Sequence, residues 1–504
     1  MIAAVTSATL LGVTGQPVTV EVHVGPGIPT FQMVGLPDEA CRESRDRVRA
    51  AVLSSDLEWP GKRITVNLAP SNLRKGGSGL DLAIAVSILL ANDSVQSTQH
   101  VGMSFIGELG LDGSVRPLAG IAPMVACQPE HQAVVPTASW HEASVVASSE
   151  VRCASSLREV VHALTGGRWP DPPPAPPWFD EPAPPDLSDV RGQLGARFAL
   201  ELAAAGGHHL LLVGPPGSGK TMLAQRITGL LPPLDSLMAL EATMVHSAAG
   251  AKLPRSGVVR HPSFRAPHHS STLVSLIGGG SHNLRPGEAS LAHGGVLFLD
   301  ELGEFAPATL DALRQPLEEG VVRVARAHAS ATLPAKFLLV AATNPCPCGG
   351  GAPGACECDE RARFSYLKRL SGPFLDRFDL RVGVDQTGVD DLIGGRAGES
   401  TAQVRERVLA ARSRSLLRNG MLNAALPGSL LDECAPITDQ SMAKLREELV
   451  LGRLTGRGLH RVRRVARTIA DLDDPERPLV EVEHIVLALQ LRVQLRRRAA
   501  LGAA

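Results

Sequence analysis

The 504-residue sequence is poor in aromatic residues and has no excess of either charge. Aromatic residues make up 3% of the chain, and Tyr366 is the single tyrosine. A surface that binds single-stranded nucleic acid mainly by stacking bases on aromatic rings is therefore not expected. Lys and Arg number 50 against 51 Asp and Glu, which gives a net charge of −1. Any nucleic-acid contact must therefore come from a local basic patch and not from the whole surface.

The sequence also lacks the features of membrane and secreted proteins. No apolar run is long enough to cross a bilayer, and residues 1–10 contain no basic segment of the kind that opens a signal peptide. Eight cysteines in so long a chain favour a reducing compartment, in which cysteine clusters more often hold metals than form disulfides. We therefore expect a cytoplasmic protein of roughly three domains that does not contact membranes.

One motif dominates what the sequence does contain. An apolar run at residues 210–213 leads into a G-x-x-x-x-G-K-[ST] pattern, and a helix-like segment follows at 222–230. Such a loop binds phosphates because its backbone N–H groups and the helix N-terminus face the anion. We predict a nucleoside-triphosphate site in which Lys220 reaches the β- and γ-phosphates and Thr221 coordinates Mg²⁺. The predicted ATP-binding residues are Gly214, Pro215, Pro216, Gly217, Ser218, Gly219, Lys220 and Thr221.

Two further buried strands end in polar side chains of the kind that hydrolysis requires. Residues 296–299 are apolar and precede Asp300 and Glu301, which we expect to hold Mg²⁺ through water and to polarise the attacking water, respectively. The alternative is a solvated acidic pair after a strand. Residues 338–343 form a second apolar strand that ends at Asn344, whose amide is suited to orienting water.

A glycine-rich loop after Asn344 contains two pairs of cysteines. Four soft ligands so close in sequence suit tetrahedral Zn²⁺, although the spacing is C-x-C and not the commoner C-x₂-C. Reduced thiols or a labile disulfide are the alternatives. The predicted zinc ligands are Cys346, Cys348, Cys356 and Cys358.

The regions on either side complete the predicted organisation. Strand-like segments at 18–24 and 64–68, helix-like segments at 38–53 and 80–90, and a hairpin with Asp112 and Gly113 at its tip indicate a mixed domain at residues 1–165. A proline-rich linker follows at 166–186, then the ATPase core at 187–390 and an arginine-rich helical region at 391–504.

These segments together resemble one known family. Residues 34–37, 67–70, 75–85 and 107–110, followed by the ATPase motifs and the helical end, resemble the ComM/YifB group of magnesium-chelatase-like AAA+ ATPases. The resemblance covers nearly the whole chain. It implies an α/β protein with an N-terminal Lon-protease-like α+β domain of the ribosomal protein S5 domain 2 type, an AAA+ P-loop α/β motor domain and a C-terminal α-helical lid.

The resemblance also implies roles for single residues. Asn344 matches the sensor 1 position, and Arg377 matches the arginine finger that reaches a neighbouring subunit's γ-phosphate, so a homo-hexamer is expected. An ion pair between Arg377 and Asp376 or Asp379 is the alternative. Arg464 is the expected sensor 2 residue that reads bound nucleotide from the lid, with Arg461 as the second choice.

The expected substrate is DNA. The family implies a branch-migration helicase that acts on forked or branched DNA, without sequence preference, during homologous recombination in natural transformation. Recombination proteins are possible partners. Residues 264–270 and 276–281 and a hairpin at 320–328 match insertions that line a central pore, where Arg323, Arg326 and His328 would meet phosphates. A plain solvated hairpin is the alternative.

Two other activities are alternatives to DNA translocation. A chelatase-like ATPase would remodel a protein partner during metal insertion, but the chelatase motor subunit resembles only the ATPase part. A Ser–Lys peptidase would use Ser78 with a downstream lysine, yet no lysine occurs between Lys75 and Lys220. We therefore expect the N-terminal domain to be a non-proteolytic platform.

Overall fold

The structure is a computed structural model. It describes residues 1–174, 184–280, 284–326, 329–350, 356, 358–359, 361–362, 365–366, 369–386, 388, 397–474 and 478–493. The middle of the proline-rich linker, His328 and the end of the chain lie outside these residues.

The N-terminal part is built on a mixed sheet, as its alternating sequence predicts. Along the second strand Val18, Val20, Val22 and Val24 are buried, while the residues between them face outward. In the described chain seven strands are ordered β3-β4-β2-β1-β5-β8-β9, with β1–β2 and β2–β4 antiparallel. The strands are β1 (Ile2–Leu11), β2 (Thr14–Gly25), β3 (Thr30–Val34), β4 (Arg63–Ala69), β5 (Met103–Phe105), β8 (Gln132–Pro136) and β9 (Val151–Ala154). Strands β6 (Glu108–Leu109) and β7 (Val115–Arg116) form the predicted hairpin, with Gly113 at φ +81°.

Helices cover this sheet and fill its core. The predicted apolar helix is observed as α3, in which the side chains from Asp81 to Leu89 are buried. The N-terminal helices are α1 (Glu39–Arg42), α2 (Ser44–Ser54), α3 (Asp81–Ala91), α4 (Ile121–Ala126), α5 (Trp140–Val146) and α6 (Leu157–Leu164).

The ATPase core contains a parallel sheet whose strands are apolar on both faces. Every side chain of the strands at 210–213, 296–299 and 338–343 is buried, as expected for central strands covered by helices. Five parallel strands in the described chain are ordered β11-β14-β17-β10-β18. They are β10 (Leu210–Val213), β11 (Phe264–Arg265), β14 (Val296–Leu299), β17 (Leu338–Thr343) and β18 (Leu380–Gly383).

Helices and two small ribbons surround this sheet. The ribbons pair β12 (Gly278–Gly279) with β13 (Arg285–Pro286), and β15 (Val321–Arg326) with β16 (Ala329–Pro334). The helices are α7 (Leu194–Gly206), α8 (Lys220–Leu230), α9 (Ser236–Ala249), α10 (Leu273–Ile277), α11 (Glu288–Leu291), α12 (Pro307–Ala312), α13 (Arg314–Glu319) and α14 (Gly372–Leu375).

The C-terminal part of the described chain is helical, as predicted. Its helices are α15 (Thr401–Asn419), α16 (Leu431–Cys434), α17 (Asp439–Val450), α18 (Gly456–Asp473) and α19 (Val482–Gln490). Val462 and Val465 of α18 share a buried cluster with Leu200 and Ala203 of α7, so the helical region packs directly on the ATPase core.

The N-terminal part also packs on the ATPase core. Leu10, Leu11 and Val13, at the turn between β1 and β2, share a buried cluster with Leu333 of the β15–β16 hairpin. Gly12 at that turn has φ +64°, and a Cβ there would lie 2.8 Å from the Cβ of Ala331. Side chains and backbones of the two parts are therefore in close contact.

Candidate nucleotide-binding and hydrolysis site

The phosphate-binding loop joins β10 to α8 at the carboxyl end of the parallel sheet. Gly217 and Gly219 adopt φ +74° and +86°, conformations that glycine reaches without strain. A Cβ on Gly214 would lie 2.0 Å from the Val384 carbonyl oxygen, so only glycine fits where the loop leaves the sheet. The Gln193 side chain donates to the Ser218 carbonyl at 3.5 Å, which places the segment before α7 against the loop.

The side chain of Lys220 folds back onto the phosphate-binding loop that precedes it. Its Nζ donates to the carbonyl oxygens of Gly214 at 2.8 Å and Pro215 at 2.7 Å, and it lies 3.3 Å from Asn344 Oδ1. Burial lowers the pKa of Lys220, and the nearby charge of Asp300 opposes that shift. The ammonium is thus held at the loop's mouth by weak neutral acceptors that phosphate oxygens can replace.

The two expected magnesium ligands lie together. Thr221 Oγ1 donates to Asp300 Oδ2 at 2.6 Å, although 79 residues separate them in sequence. A hydroxyl and a carboxylate are hard oxygen ligands of the type that Mg²⁺ prefers. The residues present therefore fit a magnesium ion bound between α8 and the end of β14.

Glu301 is held by its backbone and by a histidine. Its φ of +50° is uncommon for a residue with a side chain, and its N–H donates to Asp300 Oδ1 at 2.9 Å. Its Oε2 lies 3.0 Å from Nδ1 of His269, whose ring lies beside that of His268. The sequence placed His269 in a pore-lining insertion, and nothing in its spacing indicated a contact with Glu301.

Asn344 ends the strand beside β10. The Gly214 N–H donates to the Thr343 carbonyl at 3.1 Å, which joins the end of β17 to the start of the phosphate-binding loop. Lys220, Thr221, Asp300, Glu301 and Asn344 thus meet at the carboxyl ends of neighbouring parallel strands, where open α/β sheets bind ligands.

The two predicted arginines, Arg377 and Arg464, lie near the amino ends of the strands of this sheet, opposite the carboxyl ends where the phosphate-binding loop lies. Arg377 is paired with Glu318 of α13, not with Asp376 or Asp379, so the ion-pair alternative has the wrong partner. Arg464 is half-buried near Asp379, which lies just before β18. The four residues of β10, about 13 Å of strand, separate this level from the phosphate-binding loop. The role of Arg464 as the sensor 2 residue stays a prediction.

Arg461 has a structural role at this edge. It donates to the Arg377 carbonyl at 3.0 Å and pairs with the Asp379 carboxylate. Burial raises the pKa of Asp379, but a hydrogen bond from His208 and the charge of Arg461 outweigh it and hold the pKa well below its usual range. The Nε atoms of Arg377 and Arg464 are buried without a hydrogen-bond acceptor among the described residues.

The cysteine quartet is assembled as the sequence predicts. The Sγ atoms of Cys346, Cys348 and Cys356 lie 3.4 Å from one another, and with Cys358 all four ligand atoms lie within 4.8 Å. These separations exceed the length of a disulfide, about 2.05 Å, and are near the 3.8 Å or so expected between thiolates on one tetrahedral zinc. A hydrogen bond from the Gly350 amide and, to a smaller extent, hydrogen bonds with the neighbouring thiols lower the pKa of Cys348 to about 6. The residues therefore fit Zn²⁺.

The predicted hairpin is observed as the β15–β16 ribbon, and its place in a central pore stays a prediction. Arg323 is exposed on it and pairs with Glu319 at 2.6 Å. Such an exposed pair contributes little stability and leaves the guanidinium available to other acceptors. The side chain of Arg326 and the whole of His328 lie outside the described residues.

The N-terminal domain does not assemble a Ser–Lys pair. Ser78 Oγ donates to Glu108 Oε2, whereas the buried Lys75 donates its Nζ to the Pro70 carbonyl. Burial lowers the pKa of Lys75. Its Nζ is nevertheless bonded to a backbone carbonyl, and the Ser78 hydroxyl to a carboxylate, so the two side chains are not arranged as a nucleophile and its base. Among the described residues, no helix has the length and apolar character of a membrane span.

Comparisons with known proteins match most of the chain. Three family models match separate parts of the chain. The model described as magnesium chelatase, subunit ChlI, matches residues 186–392, and the model described as subunit ChlI of Mg-chelatase matches residues 20–139. The model described as magnesium chelatase, subunit ChlI C-terminal, matches residues 398–492. The competence protein ComM of Haemophilus influenzae is 41% identical over 505 residues, covering 98% of both chains. YifB of Escherichia coli is 40% identical over 485 residues, covering 96% of this chain and 95% of its own. An uncharacterized protein of Mycobacterium tuberculosis is 43% identical over 498 residues, covering 96% and 97%.

Proposed function

The chain belongs to the ComM/YifB family of magnesium-chelatase-like AAA+ ATPases, and from that premise we propose that it is an ATP-hydrolysing ring motor that moves DNA. The observation that carries the ATPase half is the meeting of Lys220, Thr221, Asp300, Glu301 and Asn344 at one sheet edge. In this proposal residues 1–165 are the platform, 166–186 the linker, 187–390 the motor and 391–504 the lid.

Each residue has a distinct role in this proposal. The loop amides and Lys220 bind the phosphates. Thr221 and Asp300 would hold a magnesium ion, which would neutralise charge on the phosphates. The Glu301 carboxylate accepts the proton of the attacking water as its oxygen bonds to the γ-phosphorus and the β–γ bridge breaks. Asn344 orients that water.

One arginine makes the site one that neighbouring chains share. Arg377 comes just before β18, at the end of the sheet away from its own phosphate-binding loop, where it is placed to serve the nucleotide of another subunit. A guanidinium supplied in trans suits the spread charge of a transferring phosphoryl group. We therefore propose a homo-hexameric ring in which Arg377 leaves Glu318 to act on the neighbour's ATP, while Arg464 reads bound nucleotide from the lid.

DNA is the proposed substrate. The exposed Arg323 lies on a hairpin of the pore-lining type, and the printed name of the H. influenzae relative, competence protein, associates that protein with competence. We propose branch migration of forked or branched DNA in recombination, in the cytoplasm and with recombination proteins as partners. Contacts with phosphates predict salt-sensitive binding with little sequence preference.

The test compares three possible substrates in one assay. ATPase rates are measured at moderate salt with four-way or forked DNA, with a porphyrin-binding protein partner, and with casein. Stimulation by DNA alone is expected. Failure of every DNA to stimulate would refute the proposal, and stimulation by the protein partner would favour the chelatase-like activity, which the family-model match over residues 186–392 supports.

We further propose that the quartet of Cys346, Cys348, Cys356 and Cys358 binds one structural zinc ion. The purified protein should contain about one zinc per chain. A metal-free preparation with full activity would contradict this assignment.

A further inference from the structure

The loop that contains the cysteine quartet lies directly on the phosphate-binding loop. Gly349 follows Cys348, and a Cβ placed on it would lie 2.5 Å from Cδ and 2.6 Å from Cγ of Pro216. Gly349 also adopts φ +77°. The backbone therefore touches the Pro216 ring at a point where only glycine fits.

A second connection runs through the strand that precedes the quartet. Asn344, next to Lys220, is two residues from Cys346, whose side chain is 2% exposed. The Gly349 N–H donates to the Cys346 carbonyl at 3.0 Å, so the turn that touches Pro216 is anchored at the buried cysteine. The turn at residues 346–349 therefore joins the cysteines to the nucleotide site at both ends. Its start is two residues from Asn344, and its end at Gly349 contacts Pro216.

We propose that metal bound by the quartet fixes this turn on Pro216 and thereby sets the affinity of the phosphate-binding loop for nucleotide. This inference rests on the proposed zinc site and adds regulation to it. The quartet would be a positioning site, because its sulfur atoms are not among the groups proposed to bind nucleotide or magnesium. Redox or metal conditions that empty it would weaken ATP binding without removing any phosphate ligand.

The physical reason is conformational. Four thiolates joined through one ion close a glycine-rich segment that has little apolar surface to hold it. Without that cross-link the turn leaves Pro216, and the phosphate-binding loop spends less time in the arrangement that binds phosphates. If that arrangement falls from nearly full occupancy to about one-tenth, the apparent Kd for ATP rises about tenfold.

The experiment measures zinc content and nucleotide Kd in the full-length protein. Cys348→Ser and Cys356→Ser should lose zinc and bind a fluorescent ATP analogue about tenfold more weakly, while Cys434→Ser, at a cysteine outside the quartet, should change neither. Gly349→Ala should keep zinc yet weaken binding, because the new methyl meets Pro216. Gly420→Ala is the matched control, since Gly420 also has a positive φ but a Cβ there meets no atom within 4 Å.

Each outcome is decisive. Wild-type protein stripped with a thiol-reactive reagent, reduced and reloaded with zinc should regain its Kd, which separates metal loss from misfolding. Unchanged Kd in zinc-free protein, or in Gly349→Ala with zinc retained, would overturn the coupling while leaving the zinc site intact. Wild-type protein that never holds zinc would overturn both. DNA stimulation at saturating ATP, measured on the same samples, tests the motor proposal separately.

Discussion

His209, the residue before β10, makes the ATPase core sensitive to acid. Its Nδ1 accepts the N–H of Leu339 at 3.1 Å, and its carbonyl accepts the N–H groups of Asp379 and Leu380. Burial lowers the pKa of His209 to about 4, against the opposing charge of Asp379. Because the Nδ1 lone pair already accepts the Leu339 N–H, the folded core stabilises the neutral imidazole and disfavours protonation of Nδ1.

The size and sign of the effect follow from linkage. An unfolded histidine titrates near pH 6.5, so between pH 6.5 and 4 the unfolded chain binds a proton that the folded chain does not. The free energy of unfolding contributed by His209 therefore falls as the pH is lowered through this window. The loss between pH 7 and pH 5 is about 2 kcal/mol, an upper limit because the residue keeps some accessible surface.

The assay compares wild type with His209→Asn, whose side-chain oxygen can accept the Leu339 N–H without titrating. Hydrogen exchange of the Leu339 amide, corrected for intrinsic rates, reports the opening free energy of the sheet at each pH. Wild type should lose about 2 kcal/mol more than the variant on acidification, whatever the other histidines do. Equal losses in the two proteins would show that His209 titrates normally.

Three further predictions concern the binding and hydrolysis of ATP. Lys220→Ala should abolish binding of labelled ATP, and retained affinity would remove Lys220 from the phosphate site. Glu301→Gln should bind ATP but hydrolyse it about 10²- to 10⁴-fold more slowly, and a normal rate would identify another base. Arg377→Ala should bind ATP yet lose about 10³-fold or more in rate, and mixing it with Lys220→Ala should restore part of the activity. Mixtures as inactive as their components would contradict an arginine supplied in trans.

The sequence predicts the phosphate-binding loop so well because its physics is local. Strand, glycines, lysine and helix N-terminus all lie within residues 210–230, so no distant contact is needed to specify the arrangement. Asp300 and Asn344 are predictable for a related reason. Buried parallel strands deliver whatever follows them to a common edge, and apolar runs before polar residues reveal such strands.

The surroundings of Arg464 and the contact made by His269 are beyond the reach of that reasoning. A helix can be predicted around Arg464, but which end of the sheet it meets depends on how α18 packs on α7, and that packing follows from tertiary contacts alone. His269 meets Glu301 because its loop runs from the neighbouring strand β11, and sequence spacing does not specify the path of a loop. The contact of Gly349 with Pro216 is hidden for the same reason.

The packing of Gly12 on Ala331 gives the hairpin of Arg323 a mechanical footing outside its own domain. A two-stranded ribbon alone is marginally stable, so its rigidity depends on what it packs against. Here Leu333 of the hairpin shares a buried cluster with Val13, at the turn that joins the long antiparallel strands β1 and β2. Removing the N-terminal sheet should therefore leave the hairpin without one of its packing surfaces and make it less rigid.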